Sequence, residues 1–216
     1  MDQPVSSAFQ PIITHVEVPP GMLGPDPARL EVRCFIVPRS DGVVLVDVGP
    51  PSTGNEIGAA LGQVGAAWSD VSDIVLTHAH FDHVGGLAEV AEHAPQAVVW
   101  AGAADLSEIR LDGRALEPLS EGDRVRDVVI LETPGHTPGH LSLFDEANSL
   151  ILVGDAVGNV GEALSFGPPA FTADPEQARA SLERLASLDV ERFVFSHGAE
   201  VNDPRVAIGH LLGSPG

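Results

Sequence analysis

Along the chain, short apolar runs alternate with stretches whose apolar residues recur every three or four positions. Residues 30–37 (LEVRCFIV) and 42–49 (GVVLVDVG) are rich in β-branched residues and flank Pro-Arg-Ser-Asp, which predicts a hairpin. Residues 53–56 (TGNE) read as a capping box, followed by Ile57, Leu61 and Val64 at helical spacing. Residues 73–80 (DIVLTHAH) are strand-like, and residues 85–93 predict a short helix with Leu87, Val90 and Ala91 inward. Residues 97–100 (AVVW) and 127–133 (DVVILET) predict further strands. Residues 141–144 (LSLF) and 150–155 (LILVGD) predict a second hairpin.

The later part of the chain continues the alternation. Asp174, Pro175 and Gln177 carry helix-start chemistry ahead of an apolar stripe of Ala178, Leu182, Leu185 and Ala186. Residues 192–197 (RFVFSH) predict a last buried strand, and a short helix follows from Pro204. The stretch 158–173 has no clear period, and unpatterned loops of that length are often functional. Hairpins mixed with strand–helix alternation predict an α+β chain with helices outside a mixed sheet system. Neither repeats nor a long linker interrupts it, so residues 1–216 are expected to form one domain.

Composition narrows the function. Hydrophobic residues make up 44% of the chain, enough for a folded core. The formal net charge is −20, and all 11 basic residues are arginines. Such a surface repels phosphate backbones and anionic membranes, so neither nucleic acid nor a membrane is an expected partner. The one cysteine, Cys34, lies in an apolar run and reads as a buried small hydrophobe. The N-terminal residues have no basic start and no apolar core, and no run is long enough to span a bilayer; a cytoplasmic protein is expected.

Residues 76–86 (LTHAHFDHVGG) concentrate candidate chemistry. In an extended segment, positions two apart face the same way, so His78 and His80 are expected to present both rings to one side. Asp82 and His83 follow in an expected turn that can curl them into the same space. Imidazole and carboxylate suit Zn²⁺, Fe²⁺ or Mn²⁺. His136, Asp155 and His197 each follow an apolar strand-like run, where a rigid scaffold offers side chains to a shared site. Seven candidate ligands are enough for two divalent ions.

In the order Asp47, His78-x-His80-x-Asp82-His83, His136, Asp155 and His197, the chain resembles the metallo-β-lactamase superfamily of metal-dependent hydrolases. The resemblance implies an αββα sandwich with the site at one edge. It implies one metal on His78, His80 and His136, a second on Asp82, His83 and His197, and Asp155 as the bridge. Asp47 resembles the aspartate that orients the ligand loop by hydrogen bonding, and His140 is expected to support the site without ligating. The expected activity is hydrolysis of a small carbonyl substrate (ester, lactone, thioester or lactam) by a hydroxide that two metals, zinc first and iron or manganese as alternatives, generate near pH 7. Asp82 is the expected catalytic proton carrier.

Several branches fit the residues less well. The name-giving β-lactamases usually carry Cys or Ser in place of Asp155 and are exported. Thioesterases of the glyoxalase II type share the ligand set but add a helical domain, and only 19 residues follow His197. Acyl-homoserine lactonases commonly use a tyrosine beside the metals, and this chain has none. A persulfide dioxygenase-like oxidoreductase, with one iron on two histidines and an aspartate, is the alternative class. A non-catalytic binding member is the third. Met22, Leu23, Phe166 and Phe171 are expected to line an apolar approach for the substrate.

Overall fold

The computed structural model describes residues 9–22, 25–159 and 163–213. A six-stranded sheet is built from β1 (Gln10–Val18), β2 (Ala28–Arg39), β3 (Gly42–Val46), β4 (Val71–Leu76), β5 (Val98–Gly102) and β6 (Glu117–Leu119), in that order. Its first two pairings are antiparallel and the rest parallel. The second sheet uses β7 (Arg124–Val125), β8 (Val128–Glu132), β9 (Leu141–Asp145) and β10 (Leu150–Leu152). A short ribbon, β11 (Gly158–Asn159) with β12 (Leu164–Ser165), precedes β13 (Arg192–Val194), which pairs parallel to β10 and completes the second sheet in the order β13-β10-β9-β8-β7.

Both faces of each sheet are covered, and the alternation of side chains explains how. Along β3, Val43 and Leu45 pack towards α1 (Gly54–Gln63) and α3 (Leu87–His93), with Ile57, Leu61, Leu87 and Val90. Val44 and Val46 point the other way, into a core between the sheets with Ile130, Leu143 and Leu152. The outer face of the second sheet gives Ile151, Phe193 and Phe195 to α4 (Pro175–Ala186) and α5 (Pro204–Gly213), which return Leu182, Leu185 and Ile208. Strands buried on both sides read as continuous apolar runs, which is how β3, β10 and the second half of β4 (Ile74–Leu76) read. The layers are therefore helix, sheet, sheet, helix. Cys34 is buried within the first of these cores. Among the described residues, no helix is long and apolar enough to cross a membrane.

Local readings need correction at five places. Thr53 caps α1 in sequence position only: its hydroxyl donates back to Pro50 O at 2.5 Å and offers nothing to the helix. The strand expected over 73–80 ends at Leu76, because residues 77–80 leave the sheet to form the site. Asp82 and His83 sit in a helical turn, α2 (Phe81–Val84), with α3 following after Gly85 and Gly86. The unpatterned stretch 158–173 contains the β11–β12 ribbon and a 3₁₀ turn at Pro169–Phe171. The first strand, β1, was not among the expected elements. At α4, Asp174 does cap, accepting from Gln177 N at 3.0 Å with Pro175 in the first turn.

Candidate metal centre

The seven candidate ligands converge where the strands of both sheets end. His78 and His80 follow β4, Asp82 and His83 lie in α2, His136 follows β8, Asp155 follows β10 and His197 follows β13. The rings of His78 and His80 lie 4.7 Å apart and nearly perpendicular. His136 Nε2 stands 2.9 Å from His80 Nδ1. Donor atoms of His78, His80 and His136 form one close group, and those of Asp82, His83 and His197 form another. Asp155 lies between the groups: Oδ2 is 3.4 Å from His136 Nε2 and 3.1 Å from His197 Nε2, and Oδ1 is 3.3 Å from His83 Nε2.

Three of the histidines are oriented by oxygen acceptors behind them. Asp47, fully buried, accepts from Thr77 N at 2.7 Å, from the Thr77 hydroxyl at 2.8 Å and from His83 Nδ1 at 2.8 Å. Thr77 has given its hydroxyl proton to Asp47, so Oγ1 accepts from His78 Nδ1 at 3.1 Å. His197 Nδ1 donates to Glu31 O at 2.7 Å. Each ring thus turns its Nε2 towards the centre, unpartnered at His78 and His83 and facing Asp155 Oδ2 at 3.1 Å at His197, the orientation a metal requires. The backbone of Asp47 is held at φ +59°, a conformation aspartate tolerates better than most residues and one concentrated at functional sites.

The residues fit a metal by an independent criterion. His78 Nε2, His83 Nε2 and Asp155 Oδ1 are buried polar atoms without a hydrogen-bond partner, and their residues form one close donor group. His83 Nε2 and Asp155 Oδ1 lie 3.3 Å apart without the alignment of a hydrogen bond, as two donors aimed at a common point would. Unpaired buried polar atoms cost about 1–3 kcal/mol each, so a cluster of them at one point needs an occupant.

Charge follows the same geometry. Burial, reinforced by His83, holds His78 well below the usual histidine range. Burial also lowers His136 to about 4, against the pull of Asp155. His83 and His197 are buried too, but the Asp155 carboxylate outweighs burial and raises both, with Asp47 assisting at His83. Asp155 is buried and is still held well below the carboxylate range by His197 and His83.

His140 is buried and satisfied at both nitrogens: Nε2 accepts from Asp155 N at 2.9 Å, leaving Nδ1 to donate to Thr133 Oγ1 at 2.8 Å. Burial, then the neighbouring His136, pushes it down to about 3. It touches the backbone of Asp155 rather than the centre.

Asp105 was missed by the sequence reading. It accepts from Ala79 N at 3.1 Å, from the Thr137 hydroxyl at 2.6 Å and from Gly139 N at 2.6 Å. One buried carboxylate therefore ties the segment between His78 and His80 to the loop carrying His136. Nothing in AGAADLSEI separates it from a solvated turn residue, since its partners lie 26 to 34 residues away.

A cavity of about 610 Å³ opens above the centre. His80, Asp82, His136, Asp155 and His197 form its floor, and Met22, Phe166 and Phe171 are in its walls. Leu23 lies outside the described residues. Val16, Val18, Leu30, Phe81 and Pro169 line it as well, none of them singled out in sequence. Phe81 carried a signal, being a large apolar residue between two candidate ligands.

The family model described as the Metallo-beta-lactamase superfamily matches residues 28–197. The chain belongs to the metallo-β-lactamase superfamily. The probable metallo-hydrolase YflN of Bacillus subtilis (strain 168) is 30% identical over 198 residues, covering 72% of this chain and 75% of that protein. A hydroxyacylglutathione hydrolase of Methylobacterium sp. (strain 4-46) is 31% identical over 192 residues, covering 82% and 70%. The solved structure of TTHA1623 in a di-iron-bound form superposes with a TM-score of 0.69 at 28% identity, covering 84% of this chain and 94% of that one. Its layered sheets and flanking helices are those of this superfamily.

Proposed function

We propose that this superfamily member is a dinuclear metal-dependent hydrolase of a small carbonyl substrate, working as one domain. The observation that carries the reading is the convergence of imidazole nitrogens, with the rings of His78, His83 and His197 held from behind, around a carboxylate lying between two donor groups. His78, His80 and His136 would hold one divalent cation, Asp82, His83 and His197 a second, and Asp155 would serve both. Such a pair supplies a water that ionises near pH 7 and a Lewis acid for the carbonyl oxygen. Zinc suits nitrogen and carboxylate donors, and iron and manganese suit them also.

The chain's own residues supply the rest. Asp47, Thr77 and Asp105 fix the rings and loops so that little reorganises on binding. Asp82 reaches the cavity, where its carboxylate can carry a proton to the leaving group. The apolar walls exclude water around the reacting carbonyl. Relatives named as a probable metallo-hydrolase and a hydroxyacylglutathione hydrolase support hydrolysis as the reaction class. Zinc-loaded protein should cleave at least one member of a panel of esters, lactones, thioesters and β-lactams, and His80→Ala or Asp82→Ala should abolish that cleavage with folding intact. Near-full activity in either variant refutes the reading.

A further inference from the structure

We propose that the site selects neutral, apolar acyl groups and discriminates against the anionic glutathione carrier, an inference that rests on the hydrolase reading above. The cavity walls are almost wholly hydrocarbon. The β1–β2 hairpin contributes Val16, Val18 and Leu30 from one side. The segment after β12 contributes Phe166, Pro169 and Phe171 from the other. At the rim stand Phe81, 62% exposed, and Met22, 49% exposed. A large aromatic side chain left in water beside candidate ligands is an apolar surface awaiting a cover. The volume, about 610 Å³, lies within the range of ordinary small-molecule sites.

Charge decides against the carrier. The ionisable groups lining the cavity are histidines and the carboxylates of Asp82 and Asp155. Every basic residue of the chain is an arginine, and among the described residues none lines the cavity. The stretches outside the described residues contain no basic residue at all. Glutathione carries two carboxylates and one ammonium group. Those carboxylates, held away from the reacting thioester that would face the metals, would be desolvated against hydrocarbon walls that carry no basic side chain to receive them, which is unfavourable. The net charge of −20 opposes an anion at longer range as well. An uncharged acyl chain meets no such penalty, and each methylene it buries against the walls adds about fourfold to binding in the transition state.

The test uses zinc-loaded full-length protein and matched thioesters. One series varies acyl length from acetyl to octanoyl on the neutral carrier N-acetylcysteamine. A second compares lactoyl groups on N-acetylcysteamine and on glutathione. kcat/KM should rise about three- to fourfold per methylene from four to eight carbons. The glutathione ester should lag its neutral counterpart by about 100-fold. Joint replacement of Phe166 and Phe171 by Ala should flatten the length dependence. A flat series in the unaltered protein, or faster cleavage of the glutathione ester, overturns the proposal. Calorimetry of the metal-free protein with octanamide and with succinamate separates this from the reaction itself. Tighter binding of octanamide supports the apolar site even if no thioester is cleaved, an outcome that would sink the hydrolase reading alone. Equal or weaker binding of octanamide overturns the selectivity.

Discussion

Replacing Asp105 by Asn is the most informative single change, because it preserves shape and removes one acceptor from a site where three donors point inward. Oδ1 receives Gly139 N, while Oδ2 receives both Ala79 N and the Thr137 hydroxyl. If the Asn oxygen keeps Gly139, its amide nitrogen faces Ala79 N–H, donor against donor. The Thr137 hydroxyl can turn and accept, but Ala79 N–H cannot. One orphaned donor costs about 1–3 kcal/mol, and converting charge-assisted bonds to neutral ones costs about 1 kcal/mol more. The sum is about 2–4 kcal/mol, which for a chain of 216 residues lowers Tm by about 4–16 °C. Asp105 also holds the segment between His78 and His80 against the His136 loop, so zinc affinity should fall about 10- to 100-fold. Thermal unfolding of metal-free protein and zinc competition with a chelating dye measure the two effects. A Tm shift below about 2 °C contradicts the hydrogen-bond argument. A destabilised variant that binds zinc with unchanged affinity contradicts the positioning argument.

Three further outcomes follow from the same geometry. Asp47→Ala strips partners from Thr77 N and His83 Nδ1 and leaves alanine at φ +59°; it should cost about 3–5 kcal/mol and reduce bound zinc from two per chain towards one, read by unfolding and elemental analysis. Gly167→Ala would place a Cβ 2.8 Å from His136 Nδ1, so the ring must shift; kcat/KM should drop tenfold or more while Tm barely moves, and unchanged kinetics would refute the contact. The pKa values of His83 and His197 are raised, so below those values each Nε2 carries a proton that a cation must displace; zinc affinity should weaken as pH falls from about 8 to about 6, whereas His136, lowered to about 4, adds no proton competition there. A pH-independent affinity over that range would count against His83 and His197 as ligands.

Legibility in the sequence tracked how local each signal is. The sheets facing both cores were readable because strands covered on two sides are apolar throughout, as in GVVLV and LIL. β1 was readable in principle: ITHVEV is β-branched and alternates, with Thr14, Val16 and Val18 turned inward. Its period is blurred by Ile13 on the solvent side and Thr14 on the buried side. The ligand candidates stood out because four of them crowd into six positions and the others end apolar runs. Asp105 and the Glu31 carbonyl behind His197 did not, since each acts across a long sequence separation through hydrogen bonds that leave no local pattern. The Thr53 misreading shows the same limit, because whether a threonine bonds forward or backward depends on the path of the preceding loop.

In the proposed centre, two donor groups share Asp155 and would hold two cations. Elemental analysis of the protein, purified without chelators and again after zinc loading and desalting, tests it most directly. About two divalent ions per chain are expected, falling to about one in His197→Ala. A single iron per chain that zinc loading cannot supplement, with oxygen consumed on a persulfide and no acyl compound cleaved, would contradict it.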